Sequence, residues 1–198
     1  MGAGSPEEYG LYFAWGETQG YTGDTSDGRS FDWASYKWMN PGQSSWEQIN
    51  KYTFADGQTS ACWYSDGTFV GDGLTELLPE DDAATANWGG DWRMPSRDQI
   101  DELINSEYTT TEWTTQNGVN GRKITSKSNG NSIFLPAAGC RYGTSLYNAG
   151  SYGDVWSRSL GTDSSDSAYS LDFGSGNIGW GDYGRYIGQS VRPVRAQN

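Results

Sequence analysis

Histidine is absent from all 198 residues, and that absence alone removes imidazole chemistry. No Ser-His-Asp or Cys-His relay can be assembled, and zinc sites that depend on histidine go with them. Cysteine is nearly as scarce: Cys62 and Cys140 are the two thiols, too few for a four-thiolate zinc site, and their spacing does not demand a disulfide. The four lysines are scattered, against a net charge of −12 and a pI near 4.2. Without a basic stripe, a nucleic-acid partner is not expected. No apolar run approaches the roughly 20 residues of a membrane-spanning helix, so no span is expected. Neither a lysine-bearing phosphate loop nor a Gly-x-Gly-x-x-Gly turn between a strand and a helix is found, which leaves nucleotides without a cradle, and no cofactor is expected.

A further absence is local. Between Ala137 and Gly188 there is no Lys, Glu, Gln or Met, although residues 1–136 contain 4, 9, 6 and 3 of them. At that rate about eight would fall in the segment, so chance explains the gap poorly. The residues that fill it, largely Asp, Ser, Gly, Tyr, Asn, Thr, Val, Ile and Arg, are all reachable by changing the first two adenines of an Asn codon. The four missing types are not. A Gly/Ser/Tyr-rich β-region that merely lacks long side chains is the competing explanation.

On that restricted alphabet sits a regular apolar beat. In Ala168 to Gly174 the apolar Tyr169, Leu171 and Phe173 alternate with Ser170, Asp172 and Gly174, and the beat continues from Asn177 to Gly181. This is the period of a strand buried on one side. Trp156, Leu171, Phe173, Ile178, Trp180 and Val191 take the inward beats, where polar substitution would cost several kcal/mol. The alternate positions are expected to point to water. Ile187 falls among them, and an apolar residue there is either a ligand contact or a core member.

Upstream, Gly10 to Glu17 reads as an apolar and aromatic strand, and Phe31 to Trp38 as a short helix or irregular turn in which Trp33 and Trp38 pack rather than bind. Pro79 to Ala86 places acids in a first helical turn, with Gly89-Gly90 as a stop. That role accounts for Glu80, Asp81 and Asp82 more simply than a glycosidase pair with Asp91. Ser96-Arg97-Asp98-Gln99 matches a capping box leading into Ile100, Leu103 and Ile104, one buried helical face. Asn117-Gly118, Asn120-Gly121 and Asn129-Gly130 are hairpin signals. Asp163, Asp166 and Asp182 are the acids that could gather a hard cation, but scattered acids are usually solvated and no metal is expected. One domain over residues 9–198 follows, with a weak seam from Gly57 to Gly73. Residues 1–8 lack a signal-peptide pattern and read as a cloning remnant or a truncated end.

Several runs carry a specific resemblance: Ser132 to Gly139, Gly150-Ser151-Tyr152-Gly153, Trp156-Ser157, and Gly188 to Arg195. They are similar to the variable proteins of diversity-generating retroelements in gut Bacteroidales and their phages. The resemblance implies an α+β chain with a C-type lectin-like fold, short helices in the N-terminal half and a loop-rich antiparallel β C-terminal half, with a variable region at about 140–187. Family members commonly have Asn where this chain has Ser170, Asp172, Gly174, Gly179, Gly181, Asp182, Gly184, Tyr186 and Ile187, which fits mutagenesis of template adenines and implies that these positions face a ligand. At Cys140 the family often carries Tyr, one adenine change from Cys, so Cys140 reads as incidental and unpaired.

The resemblance extends forward through Tyr12 to Thr18, Pro79 to Ala84 and Trp88 to Ser96. These motifs are shared with formylglycine-generating enzymes and speak for fold more than function. That chemistry needs a pair of metal-binding cysteines in a motif that Cys62 and Cys140 do not form. The Glu-Pro-Asn or Gln-Pro-Asp and Trp-Asn-Asp motifs of calcium-dependent lectins are absent as well.

The expected function is therefore non-catalytic ligand binding by a receptor-binding or adhesin domain. Its ligand would be a protein or glycan on a cell or phage-host surface, and the domain itself a monomeric part of a larger extracellular, cell-surface or virion protein. Tyr142, Tyr147, Tyr152, Tyr183 and Tyr186 would be anchors of wide area and low entropy cost. Arg141, Arg158 and Arg185 would donate to the ligand, and Asp154, Asp172 and Asp182 would receive its basic groups; Val155 completes the expected surface. The alternatives are a constant carbohydrate-binding or structural module of the same fold, and an oxidoreductase or hydrolase of the formylglycine-generating branch.

Overall fold

A computed structural model describes residues 1–54 and 63–195. Cys62, and with it the question of a Cys62–Cys140 bridge, lies outside the described residues, as does part of the Gly57 to Gly73 seam. Among the described residues the chain is α+β, mostly antiparallel strand with short helices, and no helix is long and apolar enough to cross a membrane.

The first half is largely irregular. Of the Gly10 to Glu17 stretch only β1 (Tyr12–Phe13) pairs as a strand, and the Phe31 to Trp38 stretch contains a single tight turn at Trp33–Ser35 capped by Asp32. Helix α1 (Ala83–Trp88) begins after its acids, none of which lies in the first turn. Glu80 and Asp81 precede it, while Asp82 is the cap, accepting hydrogen bonds from the backbone N–H of Ala84 and Thr85. Strand β2 (Trp92–Arg93) and helix α2 (Arg97–Ile104) follow. In α2 the capping box forms as expected between Ser96 and Gln99, and Ile100 is buried.

Strands β3 (Thr109–Gln116), β4 (Val119–Ser126) and β5 (Ser132–Pro136) make a meander. Asn117 and Gly118 both have positive φ, as a two-residue hairpin requires. Asn129-Gly130 lies in the next connection, whereas Asn120-Gly121 lies inside β4 and turns nothing. A small hairpin of β6 (Cys140–Tyr142) and β7 (Ser145–Tyr147) then leads into β8 (Gly153–Leu160), β9 (Ser167–Phe173) and β10 (Ile178–Gly184). Two short strands, β11 (Gln189–Ser190) and β12 (Val194–Arg195), end the described chain. The main sheet runs β1-β11-β8-β9-β10, and β12 pairs with β2.

Both faces of this sheet are covered at its centre. On the first face Val155, Leu171 and Phe173 pack with Ile100 of α2, Ile124 of β4 and Leu135 of β5, with Ile178 and Trp180 at the margin. On the second, Trp156, Leu160 and Ala168 meet Phe13, Trp15, Tyr52, Ala84 and Met94. Each such side chain contributes about 1.5–3 kcal/mol of burial. The inward positions expected from the apolar beat are thus inside, Trp180 being half-buried with its Nε1 donating to Asp101 Oδ1 at 2.6 Å. Residues 1–8 are not a detached end: Met1 is buried in the second core, and its amino group donates to the Val191 carbonyl.

Candidate functional site

The second face of β9 and β10 holds what the covering layer leaves open. Register places Asp154 opposite Asp172 and Asp172 opposite Gly179, then Trp156 opposite Ser170 and Ser170 opposite Gly181. All of these lie on one side of the sheet, because side chains alternate strictly between faces. The β6–β7 hairpin is held beside them, since the N–H of Gly139 donates to the Tyr152 carbonyl at 2.8 Å. Cys140 and Tyr142 are two apart on β6, and Cys140 pairs with Tyr147 across the hairpin, so these three also share a face.

The result is a patch of tyrosines around a pair of acids. Tyr142, Tyr147 and Tyr152 are 50 %, 47 % and 47 % exposed. The Tyr142 ring lies 6.2 Å from Tyr147 and 5.8 Å from Tyr186, which is itself anchored on Trp33 at 4.6 Å. Three glycines serve as seats for rings: a side chain at Gly174 would collide with Tyr152, at Gly181 with Tyr183, and at Gly184 with Tyr186. Over Gly179 there is open space. Lying back over Gly181, Tyr183 reaches across to β9 and donates its hydroxyl to Asp172 Oδ2 at 2.6 Å.

Electrostatically the centre of the patch is strained. Asp154 is only 5 % exposed, and burial, reinforced by the Asp172 charge, pushes its carboxyl up to about 7. Burial and the two carboxylates push the Cys140 thiol up to about 12. Burial, then the bond to Asp172, raises the Tyr183 phenol above its ordinary value. A thiol so far from ionising is a poor nucleophile.

Nine of the expected surface residues are therefore brought together: Tyr142, Tyr147, Tyr152, Asp154, Asp172, Gly174, Gly179, Gly181 and Tyr186. Six are not. Ser170 is 0 % exposed, sealed under the Trp15–Trp156 layer with its hydroxyl donating to Gln189 Oε1 at 2.6 Å; it is small because space is short there, not because it meets water. Val155 lies in the core of the opposite face. Asp182 is solvent-exposed but pairs in register with Tyr169 on that opposite face, and Gly184, two residues on, shares that face. A bulge between Trp156 and Leu160 breaks the alternation along β8, and Arg158 lies against Glu76 at 2.8 Å, away from the patch. Ile187 is half-buried against the second core, which answers its ambiguity in favour of packing.

The arginines expected to meet a ligand are also spent internally. Arg141 is fully buried and forks onto Asp27 with bonds of 2.6 and 3.1 Å. Arg185, equally buried, donates to Tyr36 Oη and to the carbonyls of Lys51, Tyr52 and Ser165, beneath the Trp15 ring at 4.9 Å. Conversely, Cys140 sits within the patch although its sequence marks it as incidental, while Tyr183, expected as an anchor, is central to it.

Asp82 caps α1 and accepts the Met94 N–H. Asp163 and Asp166 lie near enough to Asp182 to repel it, but among the described residues no three acids or thiols converge as a metal site would need. Two open grooves of about 590 Å³ lie elsewhere, one beside α2 and the start of β3, the other lined by Trp88, Trp92 and Ile133. Compared with known protein families, curated proteins and solved structures, the chain gives no match.

Proposed function

We propose that this chain is a non-catalytic ligand-binding domain of C-type lectin-like fold, whose binding surface is the tyrosine-rimmed patch on β6–β7 and the open end of β8–β10, diversified by retroelement mutagenesis. The observation that carries this reading is convergence. Nine residues singled out in sequence by alphabet and resemblance are scattered over more than forty positions of the chain, yet they meet on one surface, while the framework beneath is built from Trp, Leu and Phe. Large rigid rings with small residues between them suit a flat protein or glycan ligand better than a small molecule in a cavity.

The test has a genetic and a biochemical arm. The gene is expected to lie near a reverse transcriptase and a near-copy of the Cys140 to Arg195 coding segment that differs at adenines. Replacing Tyr142, Tyr147 and Tyr152 together by Ala is expected to abolish binding to cells or phage hosts that the wild-type domain recognises, with little change in melting temperature. Binding retained by that variant rejects the patch as the surface.

A second reading rests on one different observation. Trp88, half-exposed, packs edge-on against Trp92 at 5.2 Å beside an open groove outside the restricted-alphabet segment. An exposed Trp pair is a platform on which a sugar ring can stack, as a constant carbohydrate-binding module would use. Loss of glycan binding in Trp88→Ala, with the tyrosine variant unaffected, selects this reading.

A further inference from the structure

Asp154 and Asp172 are directly opposed across β8 and β9, where like charges repel and destabilise the pair. Asp154 is nineteen-twentieths buried and faces Asp172 and Tyr183, and the Tyr183 hydroxyl beside it is donated to Asp172 Oδ2. Asp172 accepts one bond at Oδ2 and leaves Oδ1 buried and unpaired. Among the described residues no ion pair includes either carboxylate. Buried acids are ordinarily paired, and the buried arginines of the same segment are committed to other partners, Arg141 to Asp27 and Arg185 to Tyr36 and three carbonyls.

We infer that the Asp154–Asp172 pair is a receptacle for a cationic side chain, an arginine or lysine presented by a protein ligand, an inference that rests on the ligand-binding reading of this patch. Two carboxylates side by side match the fork of a guanidinium, which satisfies both through parallel charge-assisted bonds. The Tyr152 and Tyr183 rings, seated against Gly174 and Gly181, are aromatic groups of the kind that attract a cation. The net charge of −12 steers basic partners toward the protein and acidic glycans away from it. A divalent metal would want more oxygen ligands than the pair provides.

A displayed library of random linear peptides, selected in parallel on the wild-type chain, on Asp154→Asn/Asp172→Asn and on Tyr142→Ala/Tyr147→Ala, tests this directly. Peptides enriched on the wild type are expected to carry Arg or Lys at a fixed position, and to bind about 30-fold or more weakly when it is replaced by Gln or when both aspartates are Asn. In carbon-13 NMR, such a peptide should also move the Asp154 carboxyl titration to lower pH. Melting curves of the double Asn variant keep folding out of the comparison. Peptides that depend on Tyr142 and Tyr147 but show no basic preference and bind the double Asn variant equally well overturn the cation receptacle and leave the patch intact. If no peptide responds to either variant, the patch itself falls, and the receptacle with it.

Discussion

Two buried aspartates on the same side of the main sheet are treated in opposite ways. Asp81 accepts from Lys51 Nζ and Tyr52 Oη at 2.6 Å each and from Lys37 Nζ at 3.0 Å. Burial alone would raise its carboxyl, but these bonds outweigh burial and hold it below its ordinary value. Arg185 completes that node by binding the carbonyls of Lys51 and Tyr52. Asp154 has no cation among the described residues, lies against a second acid, and is pushed up to about 7. A fold that neutralises one acid so thoroughly has the means to neutralise another. The difference marks Asp81 as architecture, while the proposed binding role gives Asp154 its reason to stay unneutralised.

The comparison can be broken at its strongest point first. Arg185→Ala should destabilise the domain by about 3–5 kcal/mol, since it empties a buried site and strands three carbonyls; urea unfolding measures it, and a loss within the noise would remove the node. Asp81→Asn should cost less, about 2–3 kcal/mol, because Lys37 is 43 % exposed and can turn to water while Lys51 and Tyr52 cannot.

Asp154→Asn should act in the opposite sense, raising stability by about 1–3 kcal/mol at pH 8 and by almost nothing at pH 3. A folded-state value raised from 3.8 to about 7 means that the unfolded chain gives up this proton first. The carboxyl's contribution is therefore fully present below pH 3.8 and is lost as pH rises through 7. Asp81 runs the other way: its contribution is present above its ordinary 3.8 and lost as acid protonates it. Asp172, Tyr183 and Cys140 are the titratable groups facing Asp154, so unfolding of wild type and Asp154→Asn across this range isolates the pair. Equal stability of the two proteins at pH 8 would mean that the carboxylate pair carries no penalty.

The smallest effect belongs to Tyr183→Phe, which removes the one hydroxyl that reaches the pair. Stability should change by less than about 1 kcal/mol, while the Asp154 titration, followed by carbon-13 NMR, moves to higher pH because the phenol lowers it in the native protein. A movement to lower pH would show that solvent entry outweighs the lost donor.

Much of the fold was legible along the chain. The Ser96 to Gln99 capping box, the Asn117-Gly118 hairpin and the apolar beat through Leu171, Phe173 and Ile178 all state local rules, and local rules survive folding. The site was legible only in part. Alternation told which residues share a face of β9, so Asp172 and Gly179 emerged on the open side. It did not tell how far cover extends along that side, and Ser170, one step further in, is sealed. Arg141 and Arg185 misled because a cation in a polar segment looks like a surface group until the carbonyls and carboxylates that receive it are brought from more than a hundred residues away.

From sequence alone came the α+β class, the restricted alphabet between Ala137 and Gly188, and the exclusion of imidazole chemistry, since each depends on composition or on neighbours a few residues apart. Only the tertiary structure decided which small residues are seats for rings, which acids are neutralised and which are left in want of a cation. Those are properties of distance and solvent access between strands, and a period of two along one strand carries no record of what packs across it.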